Sequence, residues 1–222
     1  MSVLKQNIFD FLVNIEQNNN REWFQMHKNE YQEAFNSIER FVDMLVEKIA
    51  VFDPSVSDIK GKNCIYRIYR DLRFSPDKRP YKEHIGAYIA VGGKTGNDAG
   101  YYLHFQNNKC MLACGMWCPD ATLLKKIREE IYYEPQVLYG ILNDKTFKKE
   151  WKTLDEETKL KRPPKNYPSD FQYIDLLMYR NFCALKFVSN KEVLSEDYLK
   201  KCTKAFEAGY PLVDYMNYLK KL

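Results

Sequence analysis

Tyr101-Tyr102-Leu103-His104-Phe105-Gln106-Asn107-Asn108-Lys109-Cys110-Met111-Leu112-Ala113-Cys114-Gly115-Met116-Trp117 is the stretch on which the fold turns. Tyr101–Gln106 and Lys109–Trp117 flank Asn107-Asn108, a two-residue hairpin turn whose residues tolerate positive φ. Pairing across that turn sets Cys110 opposite Phe105 and Cys114 opposite Tyr101. Side chains alternate along a strand, so Cys110, Leu112, Cys114 and Met116 share one face with Tyr101, Leu103 and Phe105. That face is an apolar layer under a helix. Tyr102, His104 and Gln106 fall on the opposite, more polar face.

Working outward, Cys64–Arg70 is rich in Ile and Tyr, as strands prefer. His84–Val91 follows it, then the glycine-bearing loop Gly92–Gly100. Asn181–Val188 supplies a fifth strand. Helices enclose this meander on both sides. Ile8, Phe11, Leu12 and Ile15 repeat at helical spacing. Asn20 caps a long helix with an apolar stripe through Tyr31, Phe35, Ile38, Val42, Leu45 and Ile49, which Asp53-Pro54 ends. Asp120, Pro135 and Asp144 open three further helices. Lys159–Pro168 reads as a loop. Ser195 opens the C-terminal helices, which restart at Pro211. The expectation is a single α+β domain over residues 1–222, an antiparallel meander of about five strands packed against N- and C-terminal helices.

The chain has 222 residues, 45% of them apolar and 29% charged, a globular mixture that excludes a long disordered region. No uninterrupted apolar run approaches the ~20 residues of a membrane span, and the start carries no signal-peptide pattern. The six cysteines therefore read as reduced thiols, and the chain as cytoplasmic with no membrane partner. Oligomeric state is not encoded legibly.

Three motifs invite chemistry and do not sustain it. Cys110, Cys114 and Cys118 lack the close pairs and distant partners of a zinc site, so they read as small buried hydrophobes with no metal. Gly92-Gly93-Lys94-Thr95 resembles the end of a phosphate-binding loop. Tyr88 stands where the first glycine belongs, however, and a strand follows instead of a helix. His27, His84 and His104 lack zinc-protease spacing. His27 reads as a satisfied edge residue beside its helix stripe. His84 and His104 are candidates for proton transfer, each weighed against a structural role. No cofactor motif is present.

Charge is more informative. Between Lys60 and His84 stand eight basic residues against three acidic ones, an excess of five in a chain whose net is +4, so the rest is net −1. A second cluster holds Lys159, Lys161, Arg162 and Lys165. Within Arg67–His84, Arg67, Asp71 and Arg73 have one strand parity and Arg70 the other; a bulge or turn would let them converge. Arginine forks grip phosphate or carboxylate through paired hydrogen bonds. The structural alternative is pairing with Asp71, Asp77, Glu83 and acids elsewhere, though exposed pairs contribute only ~0–1 kcal/mol each.

The same residues carry a resemblance. Asn19-Asn20-Arg21-Glu22-Trp23-Phe24, Arg67-Ile68-Tyr69-Arg70-Asp71 with Arg73-Phe74-Ser75 and Asp77-Lys78, and Pro80-Tyr81-Lys82 with His84-Ile85-Gly86-Ala87 are similar to the uncharacterised family known as domain of unknown function 2461. Gly100-Tyr101-Tyr102, Gly115 with Trp117 and Pro119, Leu160-Lys161-Arg162 with Pro164-Lys165, and Asp175-Leu176-Leu177 match as well. The resemblance implies one α+β domain and no established activity, cofactor or catalytic residue. The family usually has small residues where Cys110 and Cys114 stand, and a lysine where Arg180 stands.

Three functions compete. In the first, an anionic small molecule, phosphorylated or not, binds Arg67, Arg70, Arg73, Lys78, Tyr81 and Lys82, with Arg21, Lys161 and Arg180 joining from other segments. The protein is then an enzyme or a sensor, with His84 or His104 moving protons and Asp71 orienting an arginine. In the second, Tyr66, Tyr69, Phe74 and Tyr81 stack nucleic-acid bases between the cations, although no nucleic-acid motif is present. In the third, a structural or interaction protein pairs its cations internally.

Overall fold

The computed structural model describes residues 3–73 and 75–222. Phe74, one of the expected stacking residues, lies outside the described residues. The elements run α1 (Asn7–Gln17), α2 (Arg21–Met26), α3 (Lys28–Ile49), α4 (Gly61–Cys64), β1 (Ile85–Ile89), β2 (Gly100–Phe105) and β3 (Cys110–Met116). Then come α5 (Ala121–Tyr133), α6 (Pro135–Asn143), α7 (Lys145–Trp151), α8 (Ile174–Leu177), β4 (Phe182–Val188), α9 (Asn190–Val193) and α10 (Tyr198–Lys221). The strands form one antiparallel meander in the order β1-β2-β3-β4. Among the described residues no helix is long and apolar enough to cross a membrane.

The central hairpin closes as its sequence dictates. The Lys109 N–H donates to the Gln106 carbonyl at 3.1 Å, and Asn108 takes φ 56°. Tyr101, Leu103, Phe105, Cys110, Leu112, Cys114 and Met116 are all buried, while Tyr102, His104 and Gln106 are half-buried. Burial pushes the Cys110 thiol up to about 11 and raises Cys114 well above its usual range. Gly115 has φ +112°, and a Cβ there would run into the Phe182 carbonyl oxygen. Only glycine satisfies both demands.

Four of the five expected strands form, Asn181–Val188 among them as β4, but the first, Cys64–Arg70, is not a strand. Cys64 ends the helical turn α4, and only Ile65 and Tyr69 make isolated bridges, to Ala87 and Tyr81. The bridges are four steps apart on one side and six on the other, so two extra residues break the ladder between them. Two helix boundaries also differ from expectation. Asn20 does cap, accepting from the Trp23 N–H at 2.9 Å, but the helix it starts stops at His27 before α3 begins. The His27 ring explains the stop: it stacks on Trp23 at 4.0 Å, and its Nδ1 lies 2.8 Å from the Trp23 carbonyl. At the C-terminus α10 starts three residues after Ser195 and runs through Pro211 without restarting.

Chain contacts divide the molecule into two compact units. One comprises Met1–Gly96, Tyr102–Leu112 and Phe187–Thr203. In it α3 buries Ile38, Phe41, Val42, Leu45 and Ile49, and Phe41 stacks on Tyr198 and meets Phe105 edge-on. The other comprises Asn97–Tyr101, Ala113–Lys186 and Lys204–Leu222. There Trp151 donates its indole N–H to the Ala205 carbonyl at 2.8 Å and stacks on Phe206. Asp120 and Asp144 cap α5 and α7 as their sequence predicts.

Candidate functional site

Segment 65–70 runs antiparallel to segment 80–87. Arg70 N–H donates to the Pro80 carbonyl at 2.9 Å, Lys82 N–H to Ile68 at 2.8 Å and Tyr66 N–H to Gly86 at 2.9 Å. The turn joining these segments is tied by its own charges. Arg70 Nη1 meets Asp77 at 2.6 Å, and Arg79 grips the same carboxylate at 2.7 Å while reaching Glu83. Arg73 pairs with Asp71 at 2.6 Å, and Lys78 Nζ donates to the Leu72 carbonyl at 3.2 Å. Hydrogen bonds from Arg79 and then Arg70 hold the Asp77 carboxyl well below the usual carboxylate range; those from Arg73 do the same to Asp71.

Arg67 and Lys82 differ. Among the described residues neither has a carboxylate within salt-bridge distance. Arg67 lowers the proton affinity of Asp71, a carboxylate already held by Arg73. Lys82 is half-buried, with Nζ 5.6 Å from the centre of the Tyr66 ring. Burial, and next the Arg67 guanidinium, lower its proton affinity.

His84 lies beside this pair. Its ring stacks on His104 at 4.4 Å. Burial, His104 and Lys82 together push His84 down to about 4, and burial lowers His104 despite its bond to Gln106. Both nitrogens of His104 are occupied: Nδ1 is 3.0 Å from the Tyr102 phenol and Nε2 is 3.0 Å from Gln106 Oε1. Burial pushes Tyr102 up to about 12, so its phenol keeps its proton. Tyr102 therefore donates to Nδ1, and Nε2–H donates to Gln106, an arrangement suited to neutral imidazole. The ring nitrogens of His84, by contrast, have no protein partner among the described residues. Gly86 makes the packing possible, because a Cβ there would lie 2.6 Å from the Tyr102 phenol oxygen. Lys82, Tyr66, His84 and His104 thus lie together, with Arg67 near enough for its charge to be felt at Lys82.

The other expected residues go elsewhere. Arg21 and Lys78 share a shallow hollow of about 550 Å³ with Asn19, Leu72, Asp77 and Arg79. Tyr81 is only 3% exposed and stacks on Phe24 at 4.2 Å. Its backbone is clamped by Asn19, whose amide donates to the Tyr81 carbonyl and accepts from its N–H, both at 3.0 Å. Lys161 and Arg180 are exposed residues of the second unit. Lys94, in the glycine loop, donates to the Lys62 and Ile65 carbonyls at 3.1 and 2.7 Å and so secures the end of α4.

Sequence reading flagged His84 and His104 one at a time and missed their stacking. It also missed the Tyr102–His104–Gln106 chain as a hydrogen-bonded unit, although parity had placed the three on one face. Asn19 was marked only by the asparagine run and by the family resemblance of its segment, neither of which pointed to the Tyr81 backbone.

A family model described as Conserved hypothetical protein (DUF2461) matches residues 7–215. Comparison with curated proteins and with solved structures gave no match.

Proposed function

Since the chain belongs to the DUF2461 family of conserved hypothetical proteins, whose description names no chemistry, we propose from geometry that it binds a small oxyanion, such as a phosphate group, between Arg67 and Lys82. One observation carries the reading: Arg67 lies near enough to oppose the charge of half-buried Lys82, and among the described residues neither cation has a carboxylate within salt-bridge distance. Like charges held together are unfavourable unless something negative joins them. Tyr66 and His84 stand next to the pair and complete a set of donors. Charge-assisted hydrogen bonds to such an anion contribute about 1.5–3 kcal/mol each. The hollow at Arg21 is a weaker candidate because Asp77 lies in its wall.

Arg70 and Arg73, expected as direct ligands, act in this reading by shaping the turn. His84, neutral in the empty site, is the group whose proton affinity an arriving anion raises. Whether the ligand is a substrate or a sensed molecule follows from what it is. A thermal-shift panel of phosphate, pyrophosphate and dicarboxylates at low ionic strength tests the reading. Stabilisation by an oxyanion, lost in Arg67→Ala and in Lys82→Ala, is expected. No stabilisation by any of them would sink it.

A further inference from the structure

The second unit contains a cleft of about 500 Å³ that the site above does not use, a volume within the range of small-ligand pockets. One wall is a face of α5 on which Leu124, Arg128 and Tyr132 follow at four-residue steps, while Ile127 and Ile131 bury the face turned away. The facing wall is the loop bearing Lys165 and Tyr167, entered through Pro163-Pro164.

Arg128 is fixed in place. Its Nε donates to the Leu177 carbonyl at 2.9 Å and its Nη2 to the Tyr179 carbonyl at 3.2 Å. Nη1 has no protein acceptor, and no carboxylate pairs with the guanidinium among the described residues. Burial opposes its charge and Arg180 adds a like one. Lys165 is exposed and likewise unpaired among the described residues. Aromatic surface lies alongside. Tyr132 packs between Tyr167 and Phe171, with ring centres at 5.3 and 4.9 Å. Tyr133, at 75% exposure, leaves its ring open. One acid, Glu129, completes the lining, 3.7 Å from Lys125.

We infer that this cleft binds a mononucleotide. The phosphate meets Arg128 and Lys165, the base stacks on tyrosine, and Glu129 accepts from a hydroxyl or amino group. A plain inorganic anion fits the lining poorly, because it has no use for stacking surface and is repelled by Glu129. A neutral aromatic leaves both cations without a counter-charge. The combination of cations, ring faces and a single carboxylate matches a ligand with all three complements.

Calorimetric titration with AMP, adenosine and inorganic phosphate at one ionic strength tests this. AMP is expected to saturate, and to bind at least about tenfold tighter than either fragment. Lys165→Ala and Tyr133→Ala, both at exposed positions, should each weaken AMP binding by about tenfold. All titrations use the full chain carrying Arg67→Ala and Lys82→Ala, so that phosphate groups bound in the first unit do not enter the reading. The inference is overturned if AMP fails to saturate, if phosphate binds as well as AMP, or if neither cleft variant changes AMP affinity. Tighter binding by a short single-stranded oligonucleotide than by AMP would also overturn it, by assigning the cleft to a polymer.

Discussion

Arg70 and Lys82 occupy adjoining strands of chain, and each is partly shielded from water. Arg70 meets a carboxylate at 2.6 Å. Lys82 instead has a second cation, Arg67, and the His84 imidazole within electrostatic reach. The first region, the turn closed by Asp77, spends its charge on its own conformation. The second region, the face holding Arg67, Lys82, His84 and His104, leaves its charge unspent. Cation density in a sequence therefore marks a neighbourhood, and the placement of acids within it decides which members remain available to a ligand.

The largest effect should come from removing the unspent pair. Arg67→Ala combined with Lys82→Ala is expected to weaken phosphate or pyrophosphate binding by about a hundredfold, two charge-assisted contacts' worth. Urea unfolding of the same variant should be unchanged or shifted slightly towards stability, because a repulsion has been relieved. A large loss of stability would show that the pair is structural and would erase the contrast with Arg70.

Gly86→Ala sharpens the same contrast from below. The added methyl meets the phenol of Tyr102, whose rigid ring must shift and carry His104 with it. A cost of about 2 kcal/mol is expected, as for other overpacked positions. Phosphate affinity should fall in parallel, whereas the Asp77 turn should be untouched.

Acid should separate the regions next. His84 is held near 4, below the ~6.5 of an unfolded chain, so the unfolded chain binds this proton more readily. Its contribution to stability is complete above about pH 6.5 and is lost as pH falls towards 4. Discounted for the ring's partial exposure, the loss is about 1–2 kcal/mol. His84→Asn should flatten that part of the pH–stability curve. The depressed Asp77 and Asp71 carboxyls act at lower pH, where protonating them releases Arg79, Arg70 and Arg73. Unfolding midpoints measured from pH 7 down to pH 2 follow the histidine step and the onset of the carboxylate one.

The smallest effect belongs to Arg73→Ala. Its pair with Asp71 stands largely in solvent, with the arginine side chain 77% exposed. No measurable change in unfolding and less than about twofold in phosphate affinity are expected.

How much of this was legible in the sequence depended on the length of each connection. The two-residue turn at Asn107-Asn108 fixes the pairing of its strands, so the buried face from Tyr101 to Met116 and the polar face with His104 followed from parity alone. Ten residues separate β1 from β2. No turn rule sets the register across such a loop, so the stacking of His84 on His104 stayed hidden. The missing strand at Cys64–Arg70 has a similar origin: composition favours it, but nothing local announces two extra residues on its partner. The ion pairs of the turn were present in outline, since Asp71, Asp77 and Glu83 were the obvious counter-charges. Which arginine each would take was decided by backbone geometry. Within α10, Pro211 suggested a restart that the continuous helix does not make.

The most direct test is an NMR pH titration of the three histidines with and without saturating pyrophosphate. Binding at Arg67 and Lys82 should raise the His84 midpoint by about one pH unit or more, leaving that of His27 in place. Identical His84 curves under the two conditions would contradict the account.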